Sequence, residues 1–330
     1  MEIAVLGAGS WGATLATLLF ENRNNVIVWE FDSIRSKKLQ DRKIKPFEAG
    51  ACLPDGLVVT NGFESFKNSE AVLFAIPSRY MRSTCELLKN KGISLDGKLI
   101  MSATKGIESN TFLRMSEVIE DVFNGVYKNI AILSGPSHAE EVCRKIPTAI
   151  ASAAENIKTA EKCRDLFMND YFRVYVQTDI IGVEIGAALK NVFAIASGII
   201  DGLDYGDNTK AAIVIRGLRE LTKIGVALGG KEQTFYGLSG LGDLVATCFS
   251  RHSRNRAVGQ AVGEGKSPIE AEKSLGMVAE GVGNTISAYE LGKKLKIELP
   301  IVNEIYTVLF EGKKPLKAVN DLMTGSSKQE

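Results

Sequence analysis

Lys190 interrupts a run of residues, Ile180 to Ala196, that is otherwise almost wholly apolar. A lysine there either carries its ammonium to the surface along its aliphatic stem or sits in a protected pocket. In a pocket, loss of solvent disfavours the charged form and makes the amine a usable acid or base near neutral pH. The chain also opens with Gly7-Ala8-Gly9-Ser10-Trp11-Gly12, a glycine-rich turn of the kind that admits a pyrophosphate to the amides of a helix start. A nucleotide carrier and a tuned lysine together are the equipment of hydride transfer between a carbonyl and an alcohol. In isolation Lys190 reads as a helix-edge charge in water; the other motifs favour the acid/base.

In the glycine motif, Gly7 permits the tight turn and Gly9 the close approach of the pyrophosphate. Gly12 lets helix and strand pack closely, with the helix amides facing the anion. Glu30 closes the second predicted strand 18 residues beyond Gly12, where an acid accepts from a ribose 2′-hydroxyl.

Three further segments carry chemistry. Ser102-Ala103-Thr104-Lys105-Gly106 ends the fifth predicted strand, so Lys105 projects from the carboxyl edge, where ligands bind in open α/β sheets. Ser134-Gly135-Pro136-Ser137-His138-Ala139 ends the sixth and begins a helix, offering amides to an anion or a substrate oxygen. Gly237-Leu238-Ser239-Gly240-Leu241-Gly242-Asp243 puts an acid on a tight turn, and Arg251, Arg254 and Arg256 then fall within six residues. Arginine's planar fork matches phosphate oxygens bidentately. In a chain of net charge +1, this cluster interleaved with Ser253 and Asn255 points to a small phosphorylated substrate.

The elements that must position these residues follow from length and pattern. A chain of 330 residues predicts two domains. Apolar content of 45% and charged content of 24% are ordinary for a soluble globular protein, and the near-neutral balance argues against a nucleic-acid partner. Met1-Glu2-Ile3-Ala4-Val5 reads as a first strand, without the basic start of a secretion signal. The apolar run from Ile180 to Ile200 is long enough to raise a membrane span, but Glu184, Lys190 and three glycines predict a buried core helix. Cys52, Cys85, Cys143, Cys163 and Cys248 are odd in number and scattered, which suggests reduced thiols in a cytoplasm. His138 and His252 are the only histidines, so no metal centre is expected.

Strands are predicted at residues 3–6, 26–29, 57–60, 71–76, 98–103, 130–133, 148–151 and 172–176. Helices are predicted between them at 11–21, 79–91, 112–123, 137–145 and 157–168. Such alternation implies a Rossmann-like, doubly wound α/β sheet, largely parallel, over residues 1–178. Strand signals then cease, and residues 179–330 read as an all-helical substrate and catalytic domain with a disordered tail at 325–330.

Taken together, residues 7–12, Lys105-Gly106, Gly135-Pro136-Ser137, Lys190-Asn191, residues 240–244 and Ser253-Arg254-Asn255-Arg256 resemble the bacterial NAD(P)-dependent sn-glycerol-3-phosphate dehydrogenase family. The motifs occur in that family's order from residue 3 to about 285, Val278-Ala279-Glu280-Gly281 included. The resemblance implies interconversion of dihydroxyacetone phosphate and sn-glycerol 3-phosphate for glycerophospholipid synthesis. It implies Lys190 as general acid/base, with Lys105 and Asp243 tuning it. Substrate contacts are implied for Lys105, Gly135, Ser137, Asp243, Ser253, Arg254 and Asn255. Cofactor contacts are implied for Ser10, Trp11, Lys105, Ala139, Arg254, Val278 and Glu280. A homodimer is compatible with this reading.

The chain departs from the family at one place. A basic residue commonly follows the second strand and suits the 2′-phosphate of NADPH. Here the stretch is Trp29-Glu30-Phe31-Asp32, with no base until Arg35, so Glu30 and Phe31 predict that NAD is preferred to NADP. Two rival readings are a β-hydroxyacid dehydrogenase acting on a carboxylate and a non-catalytic NADH-binding redox sensor. The cluster at residues 253–256 suits phosphate and speaks against the first.

Overall fold

A computed structural model describes residues 1–46, 53–275 and 279–324; Cys52, Val278 and the tail at 325–330 lie outside the described residues. The eight expected strands are β1 Glu2–Leu6, β2 Asn25–Trp29, β3 Val58–Thr60, β4 Ala71–Phe74, β5 Leu99–Ser102, β6 Ile130–Ser134, β7 Thr148–Ala153 and β8 Phe172–Gln177. They form one sheet in the order β3-β2-β1-β4-β5-β6-β7-β8. Helices α1 Ser10–Glu21, α2 Ser33–Gln40, α3 Met81–Asn90, α4 Met115–Phe123, α5 Ala139–Val142 and α6 Ile157–Phe167 connect them. The β-branched and aliphatic residues of β1, β4, β5 and β6 are buried, as strands covered on both faces require. Ile3 and Val5 join one apolar cluster with α1 and α6, whereas Ala4 and Leu6 join the other with α3 and α4.

The sheet is parallel except between β6 and β7. The helix expected over residues 137–145 closes after one turn, because Lys145 is left-handed and Ile146 precedes Pro147. One turn rises about 6 Å, too little to return the chain past a five-residue strand and restart it in parallel. From β1 the chain winds outward through β2 and β3, then returns to place β4 on the other side of β1. That reversal opens the ligand crevice of a doubly wound sheet at the carboxyl ends of β1 and β4.

Among the described residues helices alone follow: α7 Ile180–Gly202, α8 Asp207–Ala227, α9 Glu232–Phe235, α10 Asp243–Phe249, α11 Arg254–Gly263, α12 Pro268–Leu275, α13 Glu280–Leu295, α14 Pro300–Phe310 and α15 Pro315–Thr324. One compact unit comprises Met1–Glu108 with Leu113–Glu184; the other comprises Ser109–Phe112 with Ile185–Glu330, so the division falls inside α7. In length and hydropathy α7 could cross a membrane, yet 94% of its most apolar stretch is buried inside the protein. Its three charges, Glu184, Lys190 and Asp201, are all paired. Glu184 accepts from Arg114 Nη1 at 2.6 Å, Ser116 N at 2.8 Å and Ser116 Oγ at 2.6 Å, and Lys190 pairs with Asp243.

Glu220 of α8 is the buried acid of the helical unit with the clearest pH consequence. Its carboxylate accepts from the first amides of α14, Ile301 N at 2.8 Å and Val302 N at 3.1 Å. Burial pushes its pKa from the ordinary 4.5 up to about 7, against the pull of those amides and of Lys223 and Arg216. An acid with a raised folded pKa contributes its full stability below the unfolded pKa and loses it as pH rises through the folded value. The wild type is therefore expected to lose up to about 3 kcal/mol between about pH 4.5 and pH 7 from this residue. Thermal melts of Glu220→Gln should show a smaller fall in Tm over that interval; parallel pH profiles would contradict the assignment.

Candidate active site

The sheet unit carries the features of a dinucleotide cradle. Gly7 adopts φ +110°, and a Cβ there would lie 2.5 Å from Ala75 O, just past the end of β4. A Cβ on Gly12 would lie 2.0 Å from Gly7 O, so both glycines are needed for α1 to turn sharply off β1. Gly9 differs: it is exposed and a Cβ would meet nothing within 4 Å, which leaves open the room an incoming pyrophosphate needs. Gly9 is also the N-cap of α1 and supplies no capping side chain, so the first amides of the helix stay available to an anion. Beside it Trp11 Nε1 is buried without a hydrogen-bond partner among the described residues. These residues fit a dinucleotide.

Glu30 follows β2 directly and is buried, with Oε1 accepting the Asp32 amide at 3.2 Å. Phe31 is 79% exposed, its ring edge-on to Trp29 at 6.1 Å. Arg35, the first base after β2, forms an ion pair with Glu30, a partner the sequence did not indicate. Lys105 lies beyond β5 with Nζ 3.4 Å from the Gly135 carbonyl, and Ser137 Oγ donates to the same carbonyl at 3.0 Å. Gly135 has φ +154°, and a Cβ there would stand 2.8 Å from Ile150 Cα, so the turn after β6 admits no side chain. Ala139 is the buried first residue of α5.

The helical unit carries the lysine. Gly186 and Lys190 are four residues apart and share a face of α7. A Cβ on Gly186 would lie 2.7 Å from Ser239 O, so the glycine lets the π-helical turn Leu238–Gly242 press against α7. That turn runs straight into α10, whose first residue is Asp243, one helical turn along from the Gly186 contact. Lys190 Nζ donates to Asp243 Oδ1 at 2.5 Å and to Thr247 Oγ1 at 2.6 Å; Lys190 is 5% and Asp243 2% exposed. Thr247 donates to Asp243 O at 2.6 Å, which fixes its rotamer. It was missed in the sequence, although its place four residues after Asp243 puts it on the same helix face.

A second node fixes what surrounds the lysine. Asn255 Nδ2 donates to Asn191 Oδ1 at 2.9 Å, and Asn255 Oδ1 accepts from Gly281 N at 2.9 Å. This bond pair ties α7, α11 and α13 together. Lys190, Arg254 and Glu280 each stand one residue before a member of the node. Asn255 is thus buried in the scaffold, and Ser253 is the N-cap of α11, its Oγ accepting from Arg256 N at 3.2 Å. Arg254 is exposed at the first turn of α11, where the helix amides add positive field. Arg256, by contrast, is held by Asp201, which also binds Lys210, both at 2.5 Å. Of the arginine cluster, Arg251 and Arg254 are both exposed with no ion pair among the described residues, and of the two it is Arg254 that stands at the helix start.

α7 and α11 meet backbone to backbone. Cβ atoms on Gly198 and Gly259 would each lie 2.0 Å from a carbonyl of the facing helix, Arg256 O and Ile195 O. Gly202 and Gly263, one turn on, are equally confined by Gln260 O and Ile199 O. The spacing of Lys190 from Arg254 is therefore set by rigid backbone packing.

Comparison with known proteins agrees with both halves. Residues 2–160 match the family described as NAD-dependent glycerol-3-phosphate dehydrogenase N-terminus, and residues 179–320 its C-terminus. The chain is 44% identical over 332 residues to a glycerol-3-phosphate dehydrogenase [NAD(P)+] of Fusobacterium nucleatum, covering 100% of this chain and 98% of that one. It is 45% identical over 331 residues to one from a Thermoanaerobacter species, covering 100% and 99%. The crystal structure of glycerol-3-phosphate dehydrogenase from Coxiella burnetii superposes with a TM-score of 0.92 at 34% identity, covering 98% of this chain and 99% of that one.

Proposed function

The chain belongs to the NAD-dependent glycerol-3-phosphate dehydrogenase family, and on that premise we propose that it interconverts dihydroxyacetone phosphate and sn-glycerol 3-phosphate in glycerophospholipid synthesis. The observation that carries this reading is Lys190, a buried ammonium gripped by Asp243 and Thr247 on a scaffold that also carries an exposed arginine.

When bound, a nicotinamide would supply the hydride for C2 of the ketone or accept it from C2 of the alcohol. In reduction, negative charge develops on the C2 oxygen; the Lys190 ammonium stabilises it and gives up an Nζ proton to make the hydroxyl. In oxidation the neutral Lys190 amine takes the hydroxyl proton. Asp243 and Thr247 hold Nζ in one orientation, and Asp243 balances its charge in the ammonium state. Lys105, Gly135 and Ser137 are assigned as further substrate contacts, Lys105 as a second positive charge. Arg254 takes the phosphate, helped by the Ser253 hydroxyl and the Asn255 amide, so that binding energy far from C2 aligns it for transfer.

On the cofactor side, Gly7, Gly9 and Gly12 shape the pyrophosphate turn, with Ser10, Trp11 and Ala139 against the dinucleotide. Glu30 accepts from the ribose and Phe31 borders the adenine, while Arg254 and Glu280 are assigned to the nicotinamide end; the assignment of Val278 lies outside the described residues. Glu30 opposes a 2′-phosphate, so NADH is used at least as well as NADPH. The protein works in the cytoplasm, and a homodimer is consistent with it.

The phosphate is the testable core of this reading. Arg254→Lys keeps the charge but loses the two parallel donors, so kcat/KM for dihydroxyacetone phosphate should fall about tenfold to a hundredfold. Unphosphorylated dihydroxyacetone should be a very poor substrate for the wild type, and the substitution should hardly worsen it. Equal losses on both substrates, or a wild type indifferent to the phosphate, would remove Arg254 as the anchor.

A further inference from the structure

The end of β2 contains more than the acid that meets a ribose. Glu30 Oε2 forms an ion pair with Arg35 Nη1 while Oε1 accepts the Asp32 amide. Arg35 Nη2 then donates to Ala8 O at 3.2 Å and Pro46 O at 2.9 Å. Its backbone is fixed too, because Asp32 caps α2 by accepting from Arg35 N at 2.7 Å. Ala8 belongs to the glycine turn that faces a pyrophosphate, and Glu30 stands where ribose hydroxyls bind. The adenosine ribose of a dinucleotide spans those two points. A guanidinium bonded to both Glu30 and Ala8 lies alongside it.

We propose that Arg35 selects between the two dinucleotides: paired with Glu30 it holds that carboxylate toward the ribose hydroxyls of NADH, and turned outward it binds the 2′-phosphate of NADPH. The inference rests on the proposed function for the position of the dinucleotide. Its logic is electrostatic. A lone carboxylate at this place repels a 2′-phosphate, whereas the Glu30–Arg35 pair is neutral and can present either sign. The carboxylate keeps acceptor sites beyond the two bonds it already makes, and the guanidinium keeps donors beyond its three. The side chains are 11% and 33% exposed, so both are reachable by a ligand and neither is fully hydrated. Arg35 thereby supplies, from the first turn of α2, the cation absent directly after β2.

The test is equilibrium binding of NADH and of NADPH, each followed by quenching of tryptophan fluorescence, in wild type, Arg35→Gln and Glu30→Gln. In Arg35→Gln the Kd for NADPH should rise about tenfold to a hundredfold, the loss of one charge-assisted bond, with NADH weakened far less. In Glu30→Gln the preference should move the other way, NADPH tightening and NADH weakening. This second variant leaves the Ala8 and Pro46 bonds in place and reads the same preference without disturbing the loop. If Arg35→Gln weakens both nucleotides equally, or the ratio stays put in both variants, Arg35 is only a staple between carbonyls and the proposal is overturned. If the wild type binds neither nucleotide, the functional reading beneath it fails first, and this inference fails with it.

Discussion

Lys190→Ala is expected to lower kcat by about 10²–10⁴-fold from loss of the general acid/base, and further from loss of charge opposite the forming alkoxide. NADH binding should survive, because the dinucleotide's phosphates rest on the glycine turn and α1 and not on α7. The same substitution also has a structural cost that must be separated from the catalytic one. It strips the partner from Asp243, which is 2% exposed, and breaking a buried pair destabilises by about 3–5 kcal/mol. Lys190→Met with Asp243→Asn removes both charges and should recover most of the stability with none of the turnover. Comparing melting curves with kcat across the two variants separates the effects. Restored activity in the double variant would return Lys190 to the role of a structural charge.

Gly198→Ala is expected to have the second largest effect, although it touches no proposed ligand. The new methyl would lie 2.0 Å from Arg256 O and 2.7 Å from Gln260 N, backbone atoms that cannot step aside singly. α11 must move away from α7, and overpacking of this kind costs about 1–3 kcal/mol. That lowers Tm by roughly 2–4 °C per kcal/mol in a chain this size. Displacing the start of α11 by about 1 Å from Lys190 should cost about a hundredfold in kcat/KM. Gly283→Ala is the control: it sits inside α13 with nothing within 4 Å, so it should be neutral or mildly stabilising. Wild-type kinetics in Gly198→Ala would show that the helix spacing does not set the site.

The sheet was legible because each strand is a short β-branched run flanked by helical sequence, and all eight appear where expected. The antiparallel step at β7 was not. It depends on α5 stopping after one turn, and the Pro147 that stops it reads locally as a loop and not as a reversal of direction. In the helical unit the chemistry-bearing residues stood out as charges in apolar surroundings, which is why Lys190 and Asp243 were readable. Their partners were harder. Thr247 looks like an ordinary helix threonine until Asp243 is known to face α7, and nothing in the sequence shows that Asn255 also bonds to Asn191 and Gly281. Arg256 counted toward a phosphate cluster in sequence, yet it spends its charge on Asp201, a residue the sequence did not single out. Arg35 is the first base after β2, but its pairing with Glu30 was not legible. Five residues would hold the two apart in a straight strand, but the turn capped by Asp32 folds them back on each other.

The most direct test of the central claim is the steady-state rate of NADH oxidation by the wild-type protein. Dihydroxyacetone phosphate would be compared with a panel of small keto acids under one set of conditions. A buried Lys190 acid beside an exposed Arg254 predicts turnover with the phosphorylated ketone and negligible rates with the carboxylates. A preference for a keto acid, or no turnover with any member of the panel while NADH still binds, would contradict it.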